Sequence, residues 1–196
     1  GEDPAKDIIK RLLNAKNINT DGLFVHSNPT VQKVRYMGNE RQLLRCDYEK
    51  KTGNEKEKEM LGYIKKNIPN FDIVIVSDYA KGTVTENIMN ELKKLNKKII
   101  VDPKPDQFHL YKGAYLIKPN ENEASVITKI DNVTEETIND IGTQLIEKSN
   151  ANILISRGKN GVSLFELNGN ITHLPVLSTQ KAYEVTGAGD TAVATI

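Results

Sequence analysis

Phe71-Asp72-Ile73-Val74-Ile75-Val76 is a continuous apolar run, suited to a strand buried on both faces. Lys98-Ile99-Ile100-Val101, Ala114-Tyr115-Leu116-Ile117 and Asn152-Ile153-Leu154-Ile155 repeat the pattern. Helical segments lie between them. Thr85 caps a helix over residues 86–96, and Asn120 begins a short one. Thr134 is the N-cap of a longer helix running to Lys148, with Glu136 in its first turn. Residues 162–167 and 171–176, around Asn168-Gly169-Asn170, read as a β-hairpin. Repeated β-α-β units with short apolar strands imply an α/β fold, a parallel sheet covered by helices on both faces.

Upstream the pattern differs. Ile8, Ile9, Leu12 and Leu13 give residues 4–15 the stripe of a short amphipathic helix. Residues 22–26, 31–37 and 41–48 read as strands, the last after a Gly38-Asn39 turn. A charged helix is expected from Lys50 to about Lys66, with Met60, Leu61 and Ile64 inward.

The 196 residues suffice for one good-sized core. Lys and Arg total 27 against 26 Asp and Glu, mixed along the chain, so no nucleic-acid footprint is expected. A lone cysteine, Cys46, excludes an internal disulfide and fits a reducing cytoplasm. No run of about 18 apolar residues suggests a membrane span, and no leader opens the sequence. His26, His109 and His173 show no metal-ligand spacing.

Four strand ends carry polar or glycine-rich loops: Ser77-Asp78-Tyr79-Ala80-Lys81-Gly82, Asp102-Pro103-Lys104, Lys118 to Glu123, and Ser156 to Gly161. Open α/β sheets bind ligands at that edge. Each loop has a plainer reading by itself. Ser156-Arg157-Gly158-Lys159-Asn160-Gly161 is also an ordinary strand-to-hairpin turn, and Asn120 with Glu123 is also a helix cap with its capping-box acid. Asn120 and Glu123 stand one helical turn apart, so an amide and a carboxylate face one space, where they can organise water around Mg²⁺. Lys33 and Arg35 alternate onto one face of a strand pair that also carries Arg41 and Arg45. They suit a substrate phosphate, or else a solvated, charge-protected edge.

Val185-Thr186-Gly187-Ala188-Gly189-Asp190-Thr191 opens into the small helix formers Ala192, Val193 and Ala194. A Gly-x-Gly turn feeding a helix presents unpaired N–H groups and the positive end of the helix dipole. Asp190 inside that anion hole suits a base that takes a proton from a hydroxyl attacking a bound phosphate. A dinucleotide fingerprint fits the glycine spacing only loosely, and an acid there repels pyrophosphate. No Walker A pattern occurs.

These motifs resemble the ribokinase-like (PfkB) carbohydrate kinases along essentially the whole chain. Val185 to Thr191 is similar to the family's C-terminal signature, and Asn120-x-x-Glu123 to its second shared motif. Pro29-Thr30-x-x-Lys33-x-Arg35, Arg41-Gln42-Leu43-Leu44-Arg45-x-Asp47, Ser77-Asp78-Tyr79-x-Lys81-Gly82, Val101-Asp102-Pro103-Lys104 and Ser156-Arg157 resemble the heptose 7-phosphate kinases within it. The resemblance implies a three-layer sandwich with a mostly parallel sheet and a small β lid over residues 22–48. It implies ATP-dependent phosphorylation of the anomeric hydroxyl of heptose 7-phosphate, in ADP-heptose and lipopolysaccharide biosynthesis. Asp190 is then the base, and the N–H groups of Gly187, Ala188 and Gly189 stabilise the transferring phosphoryl group. Glu123 and Asn120 act through Mg²⁺ and its waters. Ser156, Gly158 and Gly161 lie along the nucleotide. Lys33, Arg35, Gln42, Arg45, Asp78, Lys81, Asp102 and Lys104 belong to the sugar-phosphate side. A homodimer through the lid strands is also implied.

Glu184 stands where the family has Asp, which keeps the charge beside any monovalent cation that loop holds. Ser156 replaces a frequent Thr. The family's N-terminal strand, sugar-binding Asp, Gly-Gly motif and C-terminal helices do not occur, so the chain reads as a kinase domain incomplete at both ends, with no nucleotidyltransferase segment. Other readings are a sibling sugar kinase, or a non-catalytic module that binds nucleotide or serves assembly.

Overall fold

A computed structural model describes residues 1–39, 41–49, 53–176 and 187–196. Its centre is a six-stranded sheet built from β3 (Ile73–Ser77), β4 (Lys98–Asp102), β5 (Leu116–Ile117), β6 (Asn152–Ser156), β7 (Val162–Phe165) and β8 (Ile171–Leu174), which lie side by side in chain order. β3 to β6 run parallel, and β6, β7 and β8 are antiparallel. The expected mostly parallel α/β sheet is therefore present.

Side chains of alternate parity go to opposite faces of the sheet. Val76, Ile99, Val101, Ile117, Ile153, Ile155 and Phe165 pack on one face. That face is covered by α2 (Glu57–Asn67), α3 (Glu86–Lys94), α4 (Glu121–Thr128) and α5 (Ile138–Ser149), through residues such as Ile64, Met89, Ala124, Ile141 and Leu145. On the other face Ile100 and Leu116 pack under Val193 of α6 (Ala188–Thr195). Ile73 and Ile75 of β3 also point to that side and are exposed. Helices do stand on both faces, but unequally: α6 alone among the described residues covers its side.

Before the sheet come α1 (Ala5–Asn14) and an antiparallel pair, β1 (Gln32–Gly38) and β2 (Arg41–Tyr48). α1 forms over the expected residues, yet none of its side chains is buried.

Local chemistry corrects several expected boundaries. Residues 22–26 alternate like a strand but join no ladder. Phe24 packs edge-on against Tyr63, centroids 5.9 Å apart, and Ser27 and His26 bond Glu55 and the Gly53 carbonyl instead. The charged helix starts at Glu57, because Asn54 Oδ1 accepts from Lys56 N at 3.1 Å and holds a turn there; Lys50 lies outside the described residues. Thr134 Oγ1 accepts from Glu136 N and Thr137 N, which caps a preliminary turn, and the α-helix follows only from Ile138. Thr85 does cap α3, accepting from Ile88 N at 3.3 Å. α3 stops earlier than expected, at Lys94.

Candidate active site

The carboxyl ends of the parallel strands and the first turn of α6 enclose a cavity of about 980 Å³. That is the upper end of the usual range for small-molecule sites. Asp102, Lys104, Asn120, Glu123, Ser156 and Gly158 line it, as do Gly161, Ala188 and Gly189. So the nucleotide-side residues, two substrate-side residues and two residues of the α6 turn meet in one place, although they come from four separate stretches of chain.

Asn120 is the N-cap of α4. Its side chain accepts from Glu123 N at 2.9 Å, and Glu123 Oε2 accepts from Asn120 N at 3.0 Å. The capping-box reading is therefore correct, and it also fixes the Glu123 carboxylate at the cavity wall. Glu123 Oε1 accepts from Lys104 Nζ at 2.8 Å. Burial alone pulls the Lys104 ammonium down; the hydrogen bond and charge of Glu123, with the charge of Asp102, outweigh this and leave it above the usual lysine range.

Gly187 starts α6 with φ 81° and no side-chain cap. The first bond back along the helix is Thr191 N to Gly187 O, 2.9 Å. The amides of Ala188, Gly189 and Asp190 therefore have no acceptor within the helix, as an anion site requires. Asp190 is exposed and sits between the lining residues Gly189 and Ala192. Val185, Thr186 and Glu184 lie outside the described residues.

Gly161 has φ 85°, and a Cβ there would lie 2.9 Å from the Pro175 carbonyl carbon and strike the Leu174 carbonyl oxygen. Its glycine serves the close approach of β8. Gly158, φ 52°, has open space around it.

Other expected substrate residues lie off the cavity wall. Asp78 is buried at 3% exposure and accepts from Tyr111 Oη at 2.5 Å and Ala80 N at 2.8 Å, so it braces the loop rather than facing the cavity. Lys81 pairs with Glu49 beyond β2. Lys33 reaches over the ring of Tyr79, 5.7 Å from its centroid, and Tyr79 does line the cavity. Arg35 stands opposite Arg45 in the ladder, and Arg45 bonds Asp47 through two nitrogens at 2.8 and 3.0 Å. Gln42 is exposed, opposite Met37.

Sequence reasoning missed Lys118 as a site residue. Its side chain is 4% exposed, lines the cavity, and lies 3.0 Å from Asp102 Oδ1. Missed too was Arg157, buried beside the cavity loop, where it bonds Ser163 Oγ at 3.1 Å and pairs with Glu135. A cation directly after an apolar strand is the sequence signal for both.

The profile of the pfkB family carbohydrate kinases matches residues 1–196. The chain belongs to the pfkB family. Among relatives of this pfkB chain, the bifunctional protein HldE of Aliarcobacter butzleri is 34% identical over 204 residues, covering 100% of this chain and 42% of that protein. The bifunctional protein HldE of Proteus mirabilis is 32% identical over 196 residues, covering 98% and 41%. The pfkB chain thus spans about two fifths of the length of the curated relatives it matches. Ribokinase from Thermotoga maritima superposes with a TM-score of 0.77 at 22% identity, over 100% of this chain and 65% of that one. Arabidopsis thaliana ribokinase, complexed with ribose and ATP, gives 0.74 at 20%, over 100% and 66%. The fold of this pfkB chain is that of the ribokinases.

Proposed function

We propose that this chain carries the phosphoryl-transfer site of a sugar-phosphate kinase that uses ATP to phosphorylate the anomeric hydroxyl of heptose 7-phosphate. The observation that carries the reading is the convergence of the strand-end loops and the amide-bearing turn of α6 on one cavity, with Asp190 in that turn. Asp190 takes the proton of the attacking hydroxyl, and the amides of Gly187, Ala188 and Gly189 face the charge that develops on the phosphoryl oxygens. Ser156, Gly158 and Gly161 flank the nucleotide. The heptose assignment rests on the resemblance of the Gln42 and Asp78 motifs, and the HldE relatives support a sugar kinase.

Among the described residues no group of three or more His, Cys, Asp or Glu is placed to hold a metal. Glu123 has each carboxylate oxygen engaged once, which leaves lone pairs for water, so the residues fit a hydrated Mg²⁺ carried by the nucleotide. Bound there, Mg²⁺ neutralises phosphate charge.

Lys33 and Arg35, with Gln42, Arg45 and Lys81, form the lid side that meets the sugar phosphate. The opposite lid face carries Val34, Tyr36, Leu44 and Cys46, with Tyr36 and Leu44 exposed, and suits pairing with a second lid in a homodimer. A monomer by sedimentation at micromolar concentration removes the dimer from this reading. Among the described residues no helix is long and apolar enough to cross a membrane. A cytoplasmic location suits the free thiol of Cys46, which a reducing compartment preserves.

The test is coupled ADP release with heptose 7-phosphate, fructose 6-phosphate, ribose and no sugar. It is run on this chain and on a form extended to the length of its relatives. Sugar-dependent release that prefers heptose 7-phosphate is expected; bound nucleotide without release in either form overturns the kinase reading.

A further inference from the structure

Lys118 follows β5 directly, and its backbone N donates to Val101 O at 2.8 Å, so its position is locked to β4. Its ammonium is buried against Asp102 Oδ1 yet stands at the cavity wall. A Cβ built on Gly189 would lie 3.9 Å from Lys118 Nζ. The cation therefore abuts the first turn of α6, one residue before Asp190. A buried ion pair is a weak device for stability alone, since a well-packed apolar pair does as well. Its place against Gly189, whose amide has no acceptor within the helix, adds positive charge where an anion would sit.

We propose that Lys118 is a catalytic residue, its ammonium binding the phosphoryl group in transfer together with the α6 amides, and that Asp102 is the positioning residue that holds it there. The inference rests on the kinase reading above. In the step, Asp190 takes the sugar hydroxyl proton and the sugar oxygen bonds to the γ-phosphorus. The bond from that phosphorus to the bridging oxygen breaks, and its electron pair leaves with ADP. Lys118 keeps its protons throughout and donates hydrogen bonds to the non-bridging oxygens, where the transition state spreads its charge. Asp102, assigned from sequence to the sugar phosphate, then acts through Lys118.

The experiment compares Lys118→Met with the double variant Asp102→Asn, Lys118→Met, in whichever form of the protein is active. The single variant leaves Asp102 half-buried without its cation and is expected to lose stability; the double variant removes both charges. Expected is a fall in kcat of about a hundredfold or more in both, the size of losing one well-placed donor. Thermal stability is expected to return in the double variant and kcat is not. Recovery of kcat along with stability means that the pair is structural only, and overturns the proposal. A stable single variant with kcat within a few-fold of wild type overturns it too. Wild-type protein that transfers phosphate to no sugar overturns the kinase reading and this inference together; an active wild type confines failure to Lys118.

Discussion

Lys104 Nζ donates to Glu123 Oε1 across 2.8 Å, tying the loop after β4 to the first turn of α4. A cation thus already neutralises the carboxylate on which Mg²⁺ and its waters are proposed to act. The Lys104 side chain is 37% exposed, so it can swing away. Replacing Lys104 with Met is expected to lower the Mg²⁺ concentration for half-maximal velocity by about two- to fivefold, the worth of a partly exposed pair of about 0.4–1 kcal/mol. Magnesium titrations at fixed ATP measure it; an unchanged or higher requirement separates Glu123 from the metal.

Asp190 is exposed in the first turn of α6, between two cavity-lining residues. Asp190→Asn keeps the shape and removes the proposed base. Turnover is expected to fall by about 10²–10⁴-fold with nucleotide binding retained. Near-normal turnover, with binding followed by calorimetry, removes Asp190 from that role.

Lys33 covers Tyr79, whose ring lines the cavity. Lys33→Ala and Arg35→Ala are each expected to raise KM for the sugar phosphate several-fold more than KM for ATP. Initial-rate kinetics varying each substrate in turn decides it. Equal effects on both KM values take these residues out of the sugar site.

Tyr111 is fully buried and donates to Asp78 at 2.5 Å. Burial first, and the bond to Asp78 second, push its hydroxyl far above the ordinary phenol range. The folded state keeps the proton where the unfolded chain loses it. The stabilisation is therefore complete below about pH 10 and is lost as pH rises above it. Melting temperature is expected to fall across that window in the wild type and to fall less in Tyr111→Phe. At neutral pH the variant is expected to be weaker by about 1–3 kcal/mol, because buried Asp78 loses a donor.

Gly142 in α5 faces the ring of Phe165, and a Cβ there would lie 2.5 Å from Phe165 Cγ. Phe165 is 1% exposed and cannot retreat into solvent. Gly142→Ala is expected to destabilise by about 1–3 kcal/mol through overpacking, despite its better helix propensity. Denaturant unfolding measures the sign; a more stable variant shows that β7 yields.

The parallel strands were legible because their apolar runs are unbroken; Ile153–Ile155 does pack on both faces, whereas Ile73–Val76 is covered on one face only, with Ile73 and Ile75 exposed. Thr85 and Asn120 were legible because a cap acts within one turn. Residues 22–26 misled because alternation makes a strand only where a partner strand exists, and here Tyr63 and Glu55 took that place. The engagement of Asp78 was not legible, because its motif position carries no record of the Tyr111 hydroxyl that donates to it.

By itself the sequence determined the α/β class and the α6 turn that carries Asp190, and through its motifs the pfkB family. Each is written in neighbouring residues whose preferences are short-range. The tertiary structure alone decided which charges are free to meet a ligand. Lys118 and Asp102, Lys104 and Glu123, and Tyr111 and Asp78 pair across different strands and helices. Such pairs form only when folding removes water from both partners and fixes their distance, which no local pattern encodes.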